Sequence, residues 1–147
     1  MILQQNNNKI IYFRLSPNIL PKGHILALDF SLCTLAHLEV VEDLPLILTQ
    51  IQFSPAVFAL LLPLLYLYPN TCTYDILLAE YRHQGYANEE LIQLVQQELQ
   101  AVNNTIIWDQ ILRPLRNVLS RTRIKLNAMG FTIRTVIETG CVLDKLK

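Results

Sequence analysis

The chain has 147 residues, of which 52% are hydrophobic, and its 12 Lys and Arg balance its 12 Asp and Glu. A chain of this size and apolar content buries about two-thirds of its unfolded surface, which excludes a disordered protein and predicts one globular domain. The neutral total excludes a uniformly basic nucleic-acid binder, but the charges are unevenly distributed. From Arg113 to Ile137 there are six basic residues and no acid, whereas Arg82 is the only basic residue from Gly23 to Leu112. This segregation concentrates positive potential in one region, where it can steer a polyanion.

The first part of the chain predicts an N-terminal arm followed by an antiparallel sheet. Residues 1–23 mix a polar QQNNN stretch with IIYF and end in the turn-rich SPNILPKG, so we expect an arm ahead of a domain at residues 24–147. Within that domain, three short apolar stretches follow one another, HILALDF, LAHLEVV and LPLILTQIQF. Their length and their separation by charged or proline positions predict strands, with VEDLP as the turn between the second and the third.

Three helices are predicted next, because the pattern changes from strand to helix at FSPAVFALLLPLLYLYPN. Ser54 can accept hydrogen bonds from free backbone N–H groups at a helix start. Pro55 stands at the first helical position, where the backbone N–H that proline lacks would have no partner within the helix. A second helix is expected over YDILLAEYR, with Thr73 as its cap, and a third over residues 88–102, with Asn88 as its cap. The third helix has one apolar stripe, so we expect it to pack against the body of the domain.

The C-terminal third is predicted to form a last helix and a hairpin. IIWDQIL is expected as a short helical turn that ends before Pro114, since a proline disfavours helical geometry in the residue that precedes it. The last helix then runs to about Ala128, where Gly130 provides a left-handed stop. Beyond it, FTIRTVIETGCVL alternates as strands do, with ETG as the turn of a hairpin.

Residues 113–129, wound as a helix, separate into an apolar face and a polar face. The polar face carries Arg113, Asn117, Ser120, Ile124 and Asn127. This strip is flanked by cations, which are Arg116 and Arg123 on one edge and Arg121 and Lys125 on the other. Such a strip can meet base edges in a major groove while its flanks neutralise phosphates. The alternative is an ordinary solvated face, but such a face usually mixes both signs of charge, and this one has no acid.

Three stretches of the chain resemble, in the same order, the C-terminal winged-helix output domain of OmpR/PhoB-type response regulators. FSPAVFALLLPLL is similar to the start of that family's first helix, with matches at Ser54, Pro55, Phe58, Leu60 and Leu61. VLSRTRIKL resembles the end of its recognition helix, with matches at Ser120, Arg121, Arg123, Lys125 and Leu126. IRTVIETGCVL resembles its C-terminal hairpin, with matches at Ile133, Arg134, Thr135, Val136, Gly140 and Leu143.

The resemblance implies an α+β fold, a winged helix-turn-helix with an N-terminal antiparallel sheet, three core helices and a C-terminal wing hairpin. Relative to that family, the helix at about residues 88–102 is an insertion. The implied function is a DNA-binding transcriptional regulator, with the recognition helix in the major groove and the wing near the adjacent minor groove. Together with the helical face, the resemblance predicts DNA contacts at Arg113, Arg116, Asn117, Ser120, Arg121, Arg123, Ile124, Lys125 and the wing residue Arg134.

The chain departs from the family's pattern in the wing, where Ile137, Glu138 and Cys141 stand in place of the usual Arg, Gly and Tyr. No receiver domain precedes the match in this sequence, so activation by phosphorylation is not implied. The altered wing favours an alternative function, a winged-helix module that has lost DNA binding and binds a protein partner through its acidic surface. For the DNA-binding interpretation we expect a homodimer, because one helix contacts few base pairs. The inserted helix or the arm would supply the interface.

Other classes of function are not expected. Three histidines and three cysteines without metal-ligand or disulfide spacing predict no metal site, no cofactor and a cytoplasmic location. The sequence contains no Gly-rich phosphate loop and no catalytic set at recognisable spacing, so we expect no enzymatic activity. The longest apolar run, residues 56–68, contains Pro63 and is shorter than the roughly 20 residues of a membrane helix.

Overall fold

Two antiparallel sheets and four α-helices make up the part of the chain that the structure, a computed structural model, describes: residues 2–5 by their backbone, 9–15 and 19–146. The first sheet contains five strands in sequence order, β1 (Ile2–Gln5), β2 (Ile10–Phe13), β3 (His24–Asp29), β4 (Thr34–Val41) and β5 (Leu44–Gln52). The second contains β6 (Cys72–Thr73), β7 (Phe131–Val136) and β8 (Gly140–Lys145), with β8 in the centre. The helices are α1 (Pro55–Leu67), α2 (Tyr74–Arg82), α3 (Glu89–Gln100) and α4 (Thr105–Asn127). The predicted α+β class is confirmed.

The predicted strands at residues 24–53 and their turn are confirmed by β3, β4 and β5. The turn between β4 and β5 has Glu42 and Asp43 at φ angles of 51° and 66°. Positive φ at both central residues is what a two-residue hairpin turn of type I′ needs, because its twist then matches that of the strands. β5 is the outer strand of this sheet, on the side away from β1.

The N-terminal segment is part of the sheet, which corrects the expectation of an arm at residues 1–23. β2 pairs with β3 in antiparallel register from Ile10 opposite Asp29 to Phe13 opposite Leu26. The physical reason lies in IIYF, whose second and fourth residues, Ile11 and Phe13, are both buried in the core. Two short segments of that predicted arm lie outside the described residues: residues 6–8 of the polar stretch and residues 16–18 of the turn-rich stretch.

The predicted starts of the first three helices are confirmed, with one difference in chemistry. The Ser54 hydroxyl accepts a hydrogen bond from the Val57 N–H at 3.4 Å, and the Asn88 side chain accepts one from the Leu91 N–H at 2.9 Å. Thr73 precedes α2 as predicted, but its hydroxyl donates to the Asp75 carboxylate instead of capping the backbone. The serine and asparagine caps thus satisfy the otherwise free N–H groups that begin a helix.

The last helix is continuous through Pro114, so the predicted break before that residue is wrong. α4 begins at Thr105, where the Asn104 side chain accepts hydrogen bonds from two backbone N–H groups. Leu112 and Leu115, on either side of Pro114, are fully buried. Their burial offsets the one hydrogen bond that a proline removes from a helix. Pro114 itself is exposed. The helix ends as predicted, with Gly130 at a φ of 88°.

One core joins the two sheets and the helices. Leu26 and Leu28 of β3, Leu60 of α1, Leu77 of α2 and Leu112 of α4 belong to the same buried cluster. The apolar stripe of α3 packs chiefly onto α2, as its pattern predicts, and buries Val95 and Leu99. Among the described residues, no helix combines the length and apolar character that crossing a lipid bilayer requires.

The short strand β6 was not predicted, although it joins the helices to the terminal hairpin. Cys72 pairs with Cys141 and Thr73 pairs with Gly140. A Cβ atom at Gly140 would lie 2.0 Å from the Cys72 carbonyl oxygen, so only glycine allows this approach. Burial raises the pKa of both cysteine thiols, which are free, and so keeps them protonated.

Candidate nucleic-acid interface

The inner face of α4 is buried as the helical periodicity predicts. Five apolar side chains of this face are fully or almost fully buried, Leu112, Leu115, Val118, Leu119 and Leu126. Thr122 is buried among them, and its hydroxyl donates to the Val118 carbonyl at 2.8 Å. Because this face is committed to the core, the side chains on the opposite face point outward by the geometry of the helix.

The outer face of α4 forms an exposed strip, defined by Arg113, Asn117, Ser120, Arg121 and Ile124. Ile124 is 70% exposed and is the apolar member of this strip. Within the described part of the chain, the guanidinium groups of Arg113 and Arg121 form no hydrogen bond or ion pair. These two cations are therefore available to an external anion.

Arg116 is exposed but already paired. Its Nη1 lies 3.0 Å from Oδ1 of Asp109, seven residues earlier on the same helix. Burial raises the pKa of the nearby Tyr74 hydroxyl, and the Arg116 guanidinium opposes that shift. The positive charge of Arg116 is thus partly neutralised by Asp109.

Arg123 joins α4 to the terminal hairpin. Its Nε donates to the Ile133 carbonyl at 2.8 Å, and its Nη2 donates to the Thr135 hydroxyl at 3.5 Å. Both acceptors belong to β7. The guanidinium therefore already donates to a backbone carbonyl, and an external phosphate would have to displace that acceptor.

Lys125 joins α4 to the first sheet. Its Nζ donates to the Gln52 carbonyl at 2.6 Å and lies 5.5 Å from the centre of the Phe53 ring. Gln52 is the last residue of β5. The ammonium group thus caps a strand end and also makes a cation–π contact.

On the hairpin of β7 and β8, predicted as a wing, the predicted contact residue Arg134 is already paired. Nε of Arg134 lies 3.2 Å from Oδ2 of Asp144 on the neighbouring strand. At the turn, Ile137 is 83% exposed, and Glu138 is exposed at a φ of 60°. The hairpin therefore presents one apolar and one acidic side chain at its tip.

A cleft of about 650 Å³ separates the first half of α4 from the hairpin turn. Trp108, Asp109 and Arg116 line it on the helix side, and Thr135 and Glu138 line it on the hairpin side. Asp109 and Glu138 bring negative charge close to a face that is otherwise cationic. A phosphate is therefore better accommodated along the exposed strip than inside this cleft.

The acids that pair with the predicted contact residues escaped the sequence analysis. Asp109 and Asp144 both lie outside the acid-free stretch from Arg113 to Ile137. Asp109 had a usable signal, because residues seven positions apart lie on the same side of a helix. The predicted break at Pro114 concealed that relation. Asp144 had no such signal, since its approach to Arg134 depends on the pairing of two strands.

Of the nine predicted contact residues, the structure gathers eight on the outer side and edges of α4 and places Arg134 on the hairpin. No group of three or more His, Cys, Asp or Glu side chains in the described ranges is arranged to hold a metal ion. The nucleic-acid interpretation depends on the chain's own residues and on the resemblance in three stretches. No protein-family model, curated protein or solved structure matches this chain.

Proposed function

We propose that this chain is a DNA-binding transcriptional regulator of winged-helix architecture that places α4 in the major groove and the β7–β8 hairpin near the adjacent minor groove. The order of its elements supports the proposal: an antiparallel sheet, then the helices, then a terminal hairpin. That order is the one that the resemblance to OmpR/PhoB-type output domains implies. We propose that the protein acts as a homodimer in the cytoplasm, because two copies of α4 double the number of base pairs contacted.

The observation that carries the proposal is the exposed strip of α4 with its two unpaired guanidinium groups. Arg113 and Arg121 can each bind a phosphate or the O6 and N7 atoms of a guanine. Asn117 lies between them and can form the paired hydrogen bonds that adenine offers, while Ile124 can contact a thymine methyl group. An exposed strip with these hydrogen-bond donors and no acidic side chain is better suited to contact a DNA duplex than to serve as an ordinary solvated face.

The pairing of the other cations narrows the proposed contact set. Arg123 and Lys125 donate to backbone carbonyls, so we assign them chiefly to holding α4 in place. Arg116 and Arg134 each share their charge with an aspartate and are assigned secondary phosphate contacts. The proposed interface therefore centres on Arg113, Asn117, Ser120, Arg121 and Ile124.

The test of this proposal is salt-dependent binding to a fluorescent DNA duplex, measured by anisotropy. Replacing Arg113 and Arg121 together by Ala removes two phosphate or base contacts. At 0.1 M monovalent salt we expect an affinity loss of about 60-fold and a salt slope reduced by about 1.8, the values for two released counterions. The melting temperature should stay unchanged, because neither guanidinium has a partner among the described residues.

The matched control is the pair Arg14→Ala with Lys22→Ala, which removes the same charge from exposed positions outside α4. Equal loss of affinity in the two double variants would show that only net charge matters. Failure of the wild-type chain to bind any duplex more tightly than tens of micromolar at low salt would reject DNA binding itself, since non-specific affinity alone reaches roughly that range.

A second candidate function, protein binding without DNA binding, is favoured by β5. This outer strand has no charged residue, and Leu44, Leu46, Ile47 and Leu48 are each about half exposed or more. A long apolar edge strand pairs readily with a strand of another protein. Size-exclusion chromatography with light scattering measures the complex between this chain and a protein whose strand pairs with β5. Ile47→Lys should abolish that complex, whereas Gln50→Lys on the same strand should weaken it less. DNA binding that survives both changes would leave the first proposal in place.

A further inference from the structure

A second cavity, of about 610 Å³, lies between the first sheet and the α1–α2 region, and no residue of α4 lines it. Its walls come from β2, the connection between β3 and β4, helix α1, the end of α2 and the connection between α2 and α3. A volume of this size falls within the range of small-molecule sites, roughly 300–1,000 Å³. The chemistry of its lining then decides which molecule fits.

Four aromatic side chains line this cavity: Phe30, Phe58, Tyr66 and Tyr86. Phe30 and Phe58 pack edge to face, with ring centres 5.4 Å apart and ring planes at 89°. Tyr66 packs in the same way on the buried Phe13, with ring centres 5.8 Å apart. Tyr66 is nonetheless 45% exposed, and Tyr86 is 86% exposed at the rim. The Phe30 and Phe58 rings are thus held by their mutual contact, and the two tyrosine rings are accessible from solvent.

The same cavity contains one carboxylate without a partner. Glu80 lies in the last part of α2, partly buried, and within the described ranges its carboxylate forms no hydrogen bond or ion pair. Burial raises its pKa. By contrast, Glu98 on the neighbouring helix is paired with both terminal nitrogens of Arg82, at 2.7 and 2.9 Å. An unpaired carboxylate that loses solvent is unfavourable unless a cation or a donor completes it.

The charge of the lining favours a cation over an anion. Lys9 also lines the cavity, but it is exposed at the rim, so its ammonium group can remain in water. The partly buried charge is therefore negative, and it lines the same cavity as the four aromatic rings. The faces of such rings attract cations, and organic ammonium groups are bound by this combination of rings and carboxylate.

We propose that this cavity is a binding site for a small organic cation, an ammonium group carried on an apolar or aromatic body, with Glu80 as its counter-ion. Phe30, Phe58 and Tyr66 contact the apolar body, and Tyr86 covers it from the rim. The site is independent of DNA binding, because none of its lining residues belongs to α4 or to the β7–β8 hairpin.

The test compares three compounds of one skeleton by calorimetric titration into the whole chain: 3-phenylpropylamine, 3-phenylpropan-1-ol and 3-phenylpropanoate. We expect the amine to bind at least tenfold more tightly than the alcohol, and the carboxylate to bind most weakly. Glu80→Gln should reduce amine affinity to that of the alcohol while leaving alcohol binding unchanged. The control Glu90→Gln, at an exposed position in the first turn of α3, should keep the amine preference.

Two further measurements keep the proposal falsifiable. Glu80→Gln should melt no lower than the wild type, because an amide loses less on burial than a charge does. At equal concentration, the amine should raise the melting temperature of the wild type more than that of Glu80→Gln. In amide NMR spectra, the amine should shift the signals of Gly85 and Tyr86. Equal binding of the three compounds, an amine preference that survives in Glu80→Gln, or signal shifts confined to other elements would each overturn the proposal.

Discussion

Two sets of cations on α4 look alike in the sequence and differ in the folded protein. Arg113 and Arg121 are exposed and have no partner among the described residues. Arg123 and Lys125 donate to the carbonyls of Ile133 and Gln52. The difference is whether a backbone acceptor of a neighbouring strand lies within reach of the side chain. A cluster of positive charge on one helix therefore divides into two cations that remain available and two that attach the helix to two sheets.

This comparison separates two kinds of experimental effect. Changes at Arg113 and Arg121 should alter DNA affinity and leave the free energy of unfolding almost unchanged. Changes at Arg123 and Lys125 should lower the free energy of unfolding, because each leaves a backbone carbonyl without its charged donor.

The largest effect is expected at Arg123. Arg123→Met keeps most of the aliphatic stem and removes the donors to Ile133 and Thr135. We expect a loss of about 1.5–3 kcal/mol in the free energy of unfolding, the usual range for a hydrogen bond to a charged group. Urea denaturation measures it. The matched variant Arg121→Met should stay within about 0.5 kcal/mol of the wild type, and equal losses in the two variants would refute the distinction.

A smaller effect is expected at Lys125. Lys125→Met removes the donor to the Gln52 carbonyl and the charge near the Phe53 ring. Because Lys125 is exposed, water can replace part of this hydrogen bond, and we expect a loss of about 0.5–1.5 kcal/mol. Lys125→Arg should recover most of it. If thermal and urea unfolding show no change for Lys125→Met, then the contact does not hold α4 to β5.

The pair of Arg116 and Asp109 should contribute less than either backbone contact. Both side chains are nearly half exposed, at 44% and 47%, and exposed ion pairs contribute about 0.2–1 kcal/mol. A double-mutant cycle with Arg116→Ala and Asp109→Ala measures this coupling, and 0.5 M salt should reduce it. A coupling energy above this range that does not decrease in 0.5 M salt would group Arg116 with Arg123 and Lys125, which attach α4 to the sheets.

Mild acid provides the last comparison, because arginine and lysine keep their charge between pH 5 and 8 and histidine does not. Nε2 of His37 lies 2.8 Å from Nδ1 of His24, and its ring packs near Phe131 of β7. Burial and the neighbouring His24 lower the pKa of His37 below its ordinary value of 6.5, although Glu39 opposes the shift. The unfolded chain therefore binds more protons in this range. The contribution of His37 to the free energy of unfolding is fully present above about pH 6.5 and falls as pH decreases toward the folded-state pKa.

We expect the melting temperature to fall slightly between pH 6.5 and 5.5, while the DNA affinity of the folded protein stays constant. His37→Gln should flatten the dependence of melting temperature on pH. His83→Gln, at an exposed position after α2, should retain it. A fall of identical size in the wild type and in His37→Gln would assign the dependence to another group.

Local patterns predicted most of the elements. Ser54 followed by Pro55 marked the start of α1, Gly130 marked the end of the last helix, and the alternation after it marked the hairpin. The buried face of α4 was predictable from its period alone, since a helix that packs on a core must bury one side. These signals act between residues that are close in the chain, so they require no knowledge of the fold.

Predictions failed where distant residues decide. The pairing of β2 with β3 brings Ile10–Phe13 into the sheet, and the burial of Leu112 and Leu115 keeps α4 continuous at Pro114. β6 has two residues, too few for any pattern, and exists because β8 pairs with it. In each case the free energy comes from contacts that a short window of sequence does not contain.

By itself, the sequence determined that α4 is amphipathic and that its outer side carries cations without acids in between. Only the tertiary structure decided which of those cations are available, because Ile133, Gln52 and Asp144 approach Arg123, Lys125 and Arg134 through strand pairing and helix packing. It also decided that Glu80 lines an aromatic cavity, since the walls come from five separate parts of the chain. Helical period is a local property, whereas the partner of a side chain is set by packing between elements that are distant in sequence.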